Sequence, residues 1–226
     1  YNMITHNDQQ NLFRIISNQL GRDITCYAFG GTAMMFYGYK GETKDIDLLL
    51  ETKTDRDEFV KSINVIGFDE ASPFKIYIEE KLRNPNRPLM FKRDDYRFDL
   101  FVSKIFQTLM SPKMKKDVFA VHEYKGKHKL TIHILRKEHL VMLKSVAERQ
   151  NDFDDIRKIL TKDPSFDWQY LTDEVLWQYQ NGDGWILINM LKTIEELQKY
   201  VFVEEKYKKQ LLQAAGKKKK KKLEQK

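Results

Sequence analysis

Residues 45–50 read Asp45-Ile46-Asp47-Leu48-Leu49-Leu50, and the reading of this stretch decides the fold. Residues two apart in a strand share a face. Asp45 and Asp47 are therefore expected on one side and Ile46 on the other. The leucine run after them suits a strand buried on both faces. Aspartate is disfavoured in strands and costly to bury unpaired, so two of them beside three leucines need a reason. Upstream, residues 24–29 predict a strand running into Gly30-Gly31-Thr32, then a short helix over 33–37 stopped by Gly38. Downstream, Phe98-Asp99-Leu100 places a third carboxylate in a predicted strand over 96–102.

Each feature has an ordinary explanation when taken singly. Asp45 or Asp47 could sit at a strand end held by Lys44 or an arginine, Asp99 could pair with Arg97, and a glycine pair is common at a strand-to-helix turn. In this order, together, they favour chemistry. Magnesium is a hard cation that takes carboxylate oxygens and substrate phosphates. Two such ions can clamp the attacking and leaving oxygens of an in-line displacement. Phosphoryl and nucleotidyl transfer need mainly positioning and charge neutralisation, so a few aspartates suffice. Asp45, Asp47 and Asp99 are thus the candidate catalytic residues and ligands of two Mg2+ ions. Gly30, Gly31 and Thr32 are candidates to hold a nucleoside triphosphate, because backbone N–H groups opening a helix favour anions and glycine permits close approach. No covalent nucleophile is evident, and Cys26, inside an apolar strand, reads as core.

These residues resemble the nucleotidyltransferase superfamily, which includes polymerase-beta-like and CCA-adding enzymes. Its pattern is a glycine-glycine or glycine-serine turn, Asp-x-Asp, and a third Asp on a later strand, matched here by Gly30-Gly31, Asp45 with Asp47, and Asp99. Thr32 follows the glycine pair where many members have Gly-Ser. A second block, from Leu143-Lys144 through Ala147, Arg149, Asp152 and Asp155-Ile156, is similar to a stretch of the AbiEii/AbiGii toxin-like branch. The resemblance covers about residues 12 to 162. It implies that Lys144 contacts the triphosphate and that an aspartate among Asp152, Asp154 and Asp155 supports the site; spacing favours Asp152 and Asp155, with Arg149 beside them. It further implies an acceptor that is an RNA end, tRNA among the candidates, or a protein hydroxyl, and a toxin role with a cognate antitoxin. From spacing alone, Lys144 would simply pair with Glu148 on a helix face. A non-catalytic nucleotide- or partner-binding protein of the same fold is the alternative reading.

With 226 residues the chain can bury a sizeable core. Its single cysteine excludes an internal disulfide and fits a reducing compartment. No apolar run is long enough to span a membrane, and no signal-like N-terminus is seen, so a cytoplasmic location is expected. The net charge is +7, but residues 217–226 hold seven of the 40 basic residues and one of the 33 acidic ones, leaving the body at +1. The lysine run would be disordered by self-repulsion if free, and as a binder of nucleic-acid backbones it would act non-specifically.

The elements read as α+β: a small mixed sheet of nucleotidyltransferase type flanked by helices, followed by a helical C-terminal part. The expected division is a catalytic core over 1–137, a helical part over 138–216 completing the cleft, and a lysine-rich tail over 217–226. A first helix carries Leu12, Ile15, Ile16 and Leu20. A capping box of Thr54 and Asp57 is expected to open the next long helix. Strands are expected over 24–29, 45–51, 74–80 and 96–102, with a hairpin over 117–124 and 128–135. Helices are expected over 138–150, 152–161, 171–180, 184–201 and 204–215. His122, His128 and His133 match no zinc spacing. The aromatic residues from Trp168 to Trp185 are expected mostly in core.

Overall fold

The computed structural model describes residues 3–73, 83–147 and 150–224. It divides into two compact units, Tyr1–Arg136 and Lys137–Lys226.

The first unit is built on a mixed sheet. In chain order its strands are β1 (Ile4–Thr5), β2 (Ile24–Ala28), β3 (Glu42–Thr43), β4 (Ile46–Leu50), β5 (Asp69–Ala71), β6 (Leu89–Arg93), β7 (Tyr96–Val102), β8 (Lys104–Ile105), β9 (Thr108–Leu109), β10 (Val118–Lys125) and β11 (Lys129–Leu135). The helices are α1 (His6–Gln19), α2 (Gly30–Phe36), α3 (Lys53–Val65) and α4 (Pro112–Lys116). The main sheet runs β10-β11-β2-β4-β7-β6-β5, with β8 and β9 appended to β7, while β1 and β3 pair separately. β4 is central, antiparallel to β2 and parallel to β7. All five of its residues are buried, as the leucine run requires of a strand covered on both sides.

Alternation divides the sheet into two faces. Ile46, Leu48 and Leu50 share a face with Cys26, Phe98 and Leu100. α1 and α3 lie against the sheet, and Phe59 of α3 meets Phe98 edge-on at 5.6 Å. The opposite face carries Asp47, Leu49, Asp99 and Phe101, with Tyr27 and His133 beside them in register.

Local signals explain the helix starts. Thr5 caps α1 in a reciprocal box with Asp8. α3 is capped by Thr52, whose hydroxyl oxygen accepts the Asp55 N–H at 3.0 Å, and not by Thr54 as expected. Both threonines have an aspartate three residues on, and the earlier one wins because β4 ends at Leu50. α2 likewise begins at Gly30 rather than Ala33, so both glycines lie in its first turn. Short β5, β6, β8 and β9 were not expected. The expected strand over 74–80 lies outside the described residues.

The second unit is helical: α5 (Lys137–Ala147), α6 (Gln150–Lys162), α7 (Trp168–Asn181), α8 (Ile186–Leu197) and α9 (Glu205–Glu224). α5 packs on α6, α7 and α8, and α9 on α7 and α8. Buried Leu140, Val141, Ile156, Ile159, Leu171, Val175, Leu187, Met190 and Ile194 form its core. Of the aromatic group, Tyr170 is buried, whereas Trp185 is 69% exposed. Trp185 precedes the amphipathic stripe of α8 and so escapes the core. No helix among the described residues is long and apolar enough to cross a membrane.

Candidate active site

Three aspartates of the first unit converge. Asp47 in β4 and Asp99 in β7 are direct register partners across the parallel pair. Register partners on one face stand side by side, so the two carboxylates are neighbours by construction. Asp45 precedes β4, in the connection from β3, one residue short of the strand expected from sequence. Its carboxylate still joins the other two: ligand oxygens of Asp45, Asp47 and Asp99 all lie within 4.8 Å of one another. Asp47 and Asp99 are buried and Asp45 is half-buried.

The surroundings hold this geometry. The Thr32 hydroxyl oxygen accepts the Asp47 backbone N–H at 2.8 Å. Thr32 is fully buried, so this contact ties the first turn of α2 to the strand that carries Asp47. Gly30 has φ +57°, a left-handed conformation that glycine adopts without penalty. A Cβ at Gly30 would overlap the Asp47 carboxylate, and one at Gly31 would overlap the Thr43 hydroxyl. The glycine pair is therefore required by close packing around Asp47 as well as by the turn.

From sequence alone Arg97 is no more than a partner for Asp99, and in the structure it reaches further. Its Nε donates to Asp99 Oδ1 at 2.8 Å, and its Nη2 donates to Asp99 Oδ2 at 3.3 Å and to the Asp45 carboxylate. Burial alone would lower the guanidinium pKa, but Asp99, Asp45 and Asp47 outweigh it and raise the pKa above the usual value. The readable signal was the spacing Arg97-Phe98-Asp99, which puts base and acid on one face. The salt-bridge reading and the site reading of Asp99 thus hold together. Among the other bases before Asp99, Arg93 donates to the Ile66 carbonyl at 2.7 Å and lies over the Phe68 ring, a packing role.

The residues of the second sequence block belong to the helical unit. Lys144 of α5 is buried, and its Nζ donates to Asp152 at 3.0 Å and Asp155 at 2.8 Å, both in α6. Burial alone would depress the ammonium pKa, and the two carboxylates outweigh it so that the net shift is upward. Asp154, on another side of α6, is exposed and pairs only loosely with Arg157 at 3.6 Å. Arg149 lies outside the described residues. Cys26 is fully buried, and burial pushes its thiol pKa up, which makes it unreactive. His122 and His133 sit in β10 and β11, and burial lowers both imidazole pKa values.

No protein-family model and no curated protein matches this chain. Solved structures similar to it include the lincosamide antibiotic adenylyltransferase LnuA bound to lincomycin, at 17% identity and TM-score 0.44, covering 72% of this chain and 100% of that one. ANT(2")-Ia in complex with adenylyl-2"-tobramycin is similar at 11% identity and TM-score 0.43, covering 67% and 84%. A protein of H. pylori described as a nucleotidyltransferase is similar at 15% identity and TM-score 0.40, covering 96% of both chains. Identities and TM-scores this low say nothing of what the chain does, so its chemistry is read from its own residues.

Proposed function

We propose that the chain is a metal-dependent nucleotidyltransferase that moves a nucleoside monophosphate from a nucleoside triphosphate to a hydroxyl acceptor. The observation that carries this reading is the meeting of Asp45, Asp47 and Asp99 within 4.8 Å on one face of the sheet. The donor set fits a hard divalent cation: among the described residues three carboxylates converge with the Arg97 guanidinium. Asp45, Asp47 and Asp99 would hold Mg2+, two ions in this reading. When bound, such ions neutralise phosphate charge and lower the pKa of the attacking hydroxyl.

The chain's residues supply the positioning. β4 and β7 fix the spacing of Asp47 and Asp99, and Thr32 fixes the Asp47 backbone. Gly30 leaves room for the Asp47 carboxylate and Gly31 for the Thr43 hydroxyl, and both enter the proposal as triphosphate contacts through the sequence pattern. Lys144, with Asp152 and Asp155, enters the proposal through the sequence resemblance, as does Arg149. An ammonium has three donors, and Asp152 and Asp155 take two of them. The acceptor class, an RNA end or a protein hydroxyl, and a toxin role with an antitoxin partner rest on the same resemblance.

The test is a labelling assay. The protein is incubated with each labelled nucleoside triphosphate, Mg2+ and total RNA, beside an Asp45→Ala/Asp47→Ala control. Label entering RNA or protein with the unaltered chain and not the control is the expected result, and it names both nucleotide and acceptor. Absence of label, with thermal stabilisation that needs both Mg2+ and triphosphate, would make the chain a nucleotide-binding protein instead. Absence of both signals would remove the metal site.

A further inference from the structure

The proposed chemistry leaves one cation at the centre of the site without a role. Arg97 grips two of the three carboxylates that a divalent cation would use. The two halves of its grip differ in origin. Arg97 and Asp99 stand two apart in β7 and share a face, so their contact is built into the strand. Asp45 comes from the connection before β4, 52 residues away in sequence, and its side chain is 16% exposed where that of Asp99 is fully buried. The Asp45 half is therefore the one that can let go.

A dication and a guanidinium on the same carboxylate lie close enough to repel strongly in a partly buried site, so the two compete for Asp45. We infer that Arg97 is a resident counter-ion which a divalent cation displaces from Asp45, so that the site exchanges one cation for another instead of filling from an unpaired state. The inference rests on the metal-dependent reading above. In the metal-free protein Arg97 neutralises part of the carboxylate cluster and holds Asp45 near Asp47 and Asp99. On exchange Arg97 keeps Asp99 Oδ1 through Nε, as the strand geometry dictates, while its Nη2 gives up both the loop-borne Asp45 and the longer contact to Asp99 Oδ2, which is left for the ion. Arg97 thereby sets the metal affinity below what the three acids alone would reach.

Direct binding measurements on the full chain test this without recourse to activity. Mn2+ affinity is read by electron paramagnetic resonance for the unaltered protein, Arg97→Gln and Arg97→Lys. Arg97→Gln should bind about tenfold more tightly, because the competing positive charge is gone. Arg97→Lys keeps the charge, but one ammonium cannot span Asp45 and Asp99 as a planar fork does, so it too should bind more tightly, by about threefold. Unchanged or weaker binding in both variants would overturn the inference. Tighter binding in Arg97→Gln with none in Arg97→Lys would also overturn it, since only the field of the charge would then matter. Binding that vanishes in Asp47→Asn yet ignores Arg97 removes the exchange and leaves the metal site standing. Absence of Mn2+ binding in every protein, the unaltered one included, removes both. Should the variants not fold, the arginine Nη–H resonances of the unaltered protein decide under Mg2+ titration, since Nη2 makes the Asp45 contact. One ion-paired arginine signal should move, and an unchanged set at saturation would overturn the inference.

Discussion

Buried Lys144 and half-buried Arg97 are each gripped by aspartates, and the two clusters differ in their charge. Arg97 lies on the sheet of the first unit among Asp45, Asp47 and Asp99. Lys144 lies among the helices of the second unit between Asp152 and Asp155. In both, burial pulls the cation's pKa down and carboxylates more than restore it. The charge balance separates them. Among the described residues the helical cluster sets two acids against Lys144 and against Lys158, which stands 3.7 Å from Asp155. Among the described residues the sheet cluster sets three acids around Arg97, with Gly30 packed against the Asp47 carboxylate. A balanced buried cluster holds helices together, whereas an acid-rich one invites a further cation.

The sharpest way to break this comparison is Lys144→Met. Two buried carboxylates would lose their shared cation, and breaking a buried pair by removing one partner costs about 3–5 kcal/mol. Urea unfolding followed by helical circular dichroism should show that loss. Adding Asp152→Asn and Asp155→Asn to Lys144→Met should recover most of it, because the uncompensated charge is then gone. A loss below about 1 kcal/mol, the value typical of a surface pair, would mean that the helical cluster is no anchor. The same variant carries the assignment of Lys144 to the triphosphate. A raised KM for the triphosphate is expected, and an unchanged KM would leave Lys144 as an anchor only.

Gly30→Ala sharpens the other side of the comparison. At φ +57° a non-glycine residue pays about 1–2 kcal/mol for the left-handed backbone, and here the added Cβ also meets the Asp47 carboxylate. Gly38→Ala is the matched control: its φ is +71°, with nothing within 4 Å of the added Cβ. Both variants should lose stability in thermal melts. Only Gly30→Ala should also weaken Mn2+ binding, because only it displaces a carboxylate. Equal Mn2+ affinities in the two would show that the glycine turn serves the backbone alone.

The part of the fold that could be read from the sequence is the part where pattern and burial agree. The leucine run of β4, the strand before the glycine pair and the helices α5 to α8 have periodicity that their packing requires, whereas α9 runs on to Glu224 through lysines that carry no apolar period. β5 was not legible because Asp69-Glu70-Ala71 has no strand preference of its own and is extended only by pairing with β6. β8 and β9 have two residues each, too few to show alternation. In the candidate site the three aspartates were legible from their spacing and order. The function of Thr32 was not: sequence directed it toward phosphate, and in the structure its hydroxyl oxygen receives the Asp47 N–H. Nor was the reach of Arg97 to Asp45, since a contact spanning 52 residues leaves no local pattern. Of Asp152, Asp154 and Asp155, the two that meet Lys144 are the pair three apart on one helix face, and Asp154 lies off it.

Thr32 offers the mildest perturbation of the sheet cluster. Thr32→Val preserves the branched shape and removes only the acceptor of the Asp47 N–H bond, 2.8 Å long and buried. Loss of one such acceptor should cost about 1 kcal/mol. Thr32→Ser keeps the oxygen and should lie closer to the unaltered protein in a urea titration. If α2 steadies β4 through this bond, Thr32→Val should also weaken Mn2+ binding slightly, in the same direction as Gly30→Ala but less. Identical Mn2+ affinity in Thr32→Val and the unaltered chain would show that β7, through the register of Asp47 with Asp99, holds the carboxylate without help from the turn.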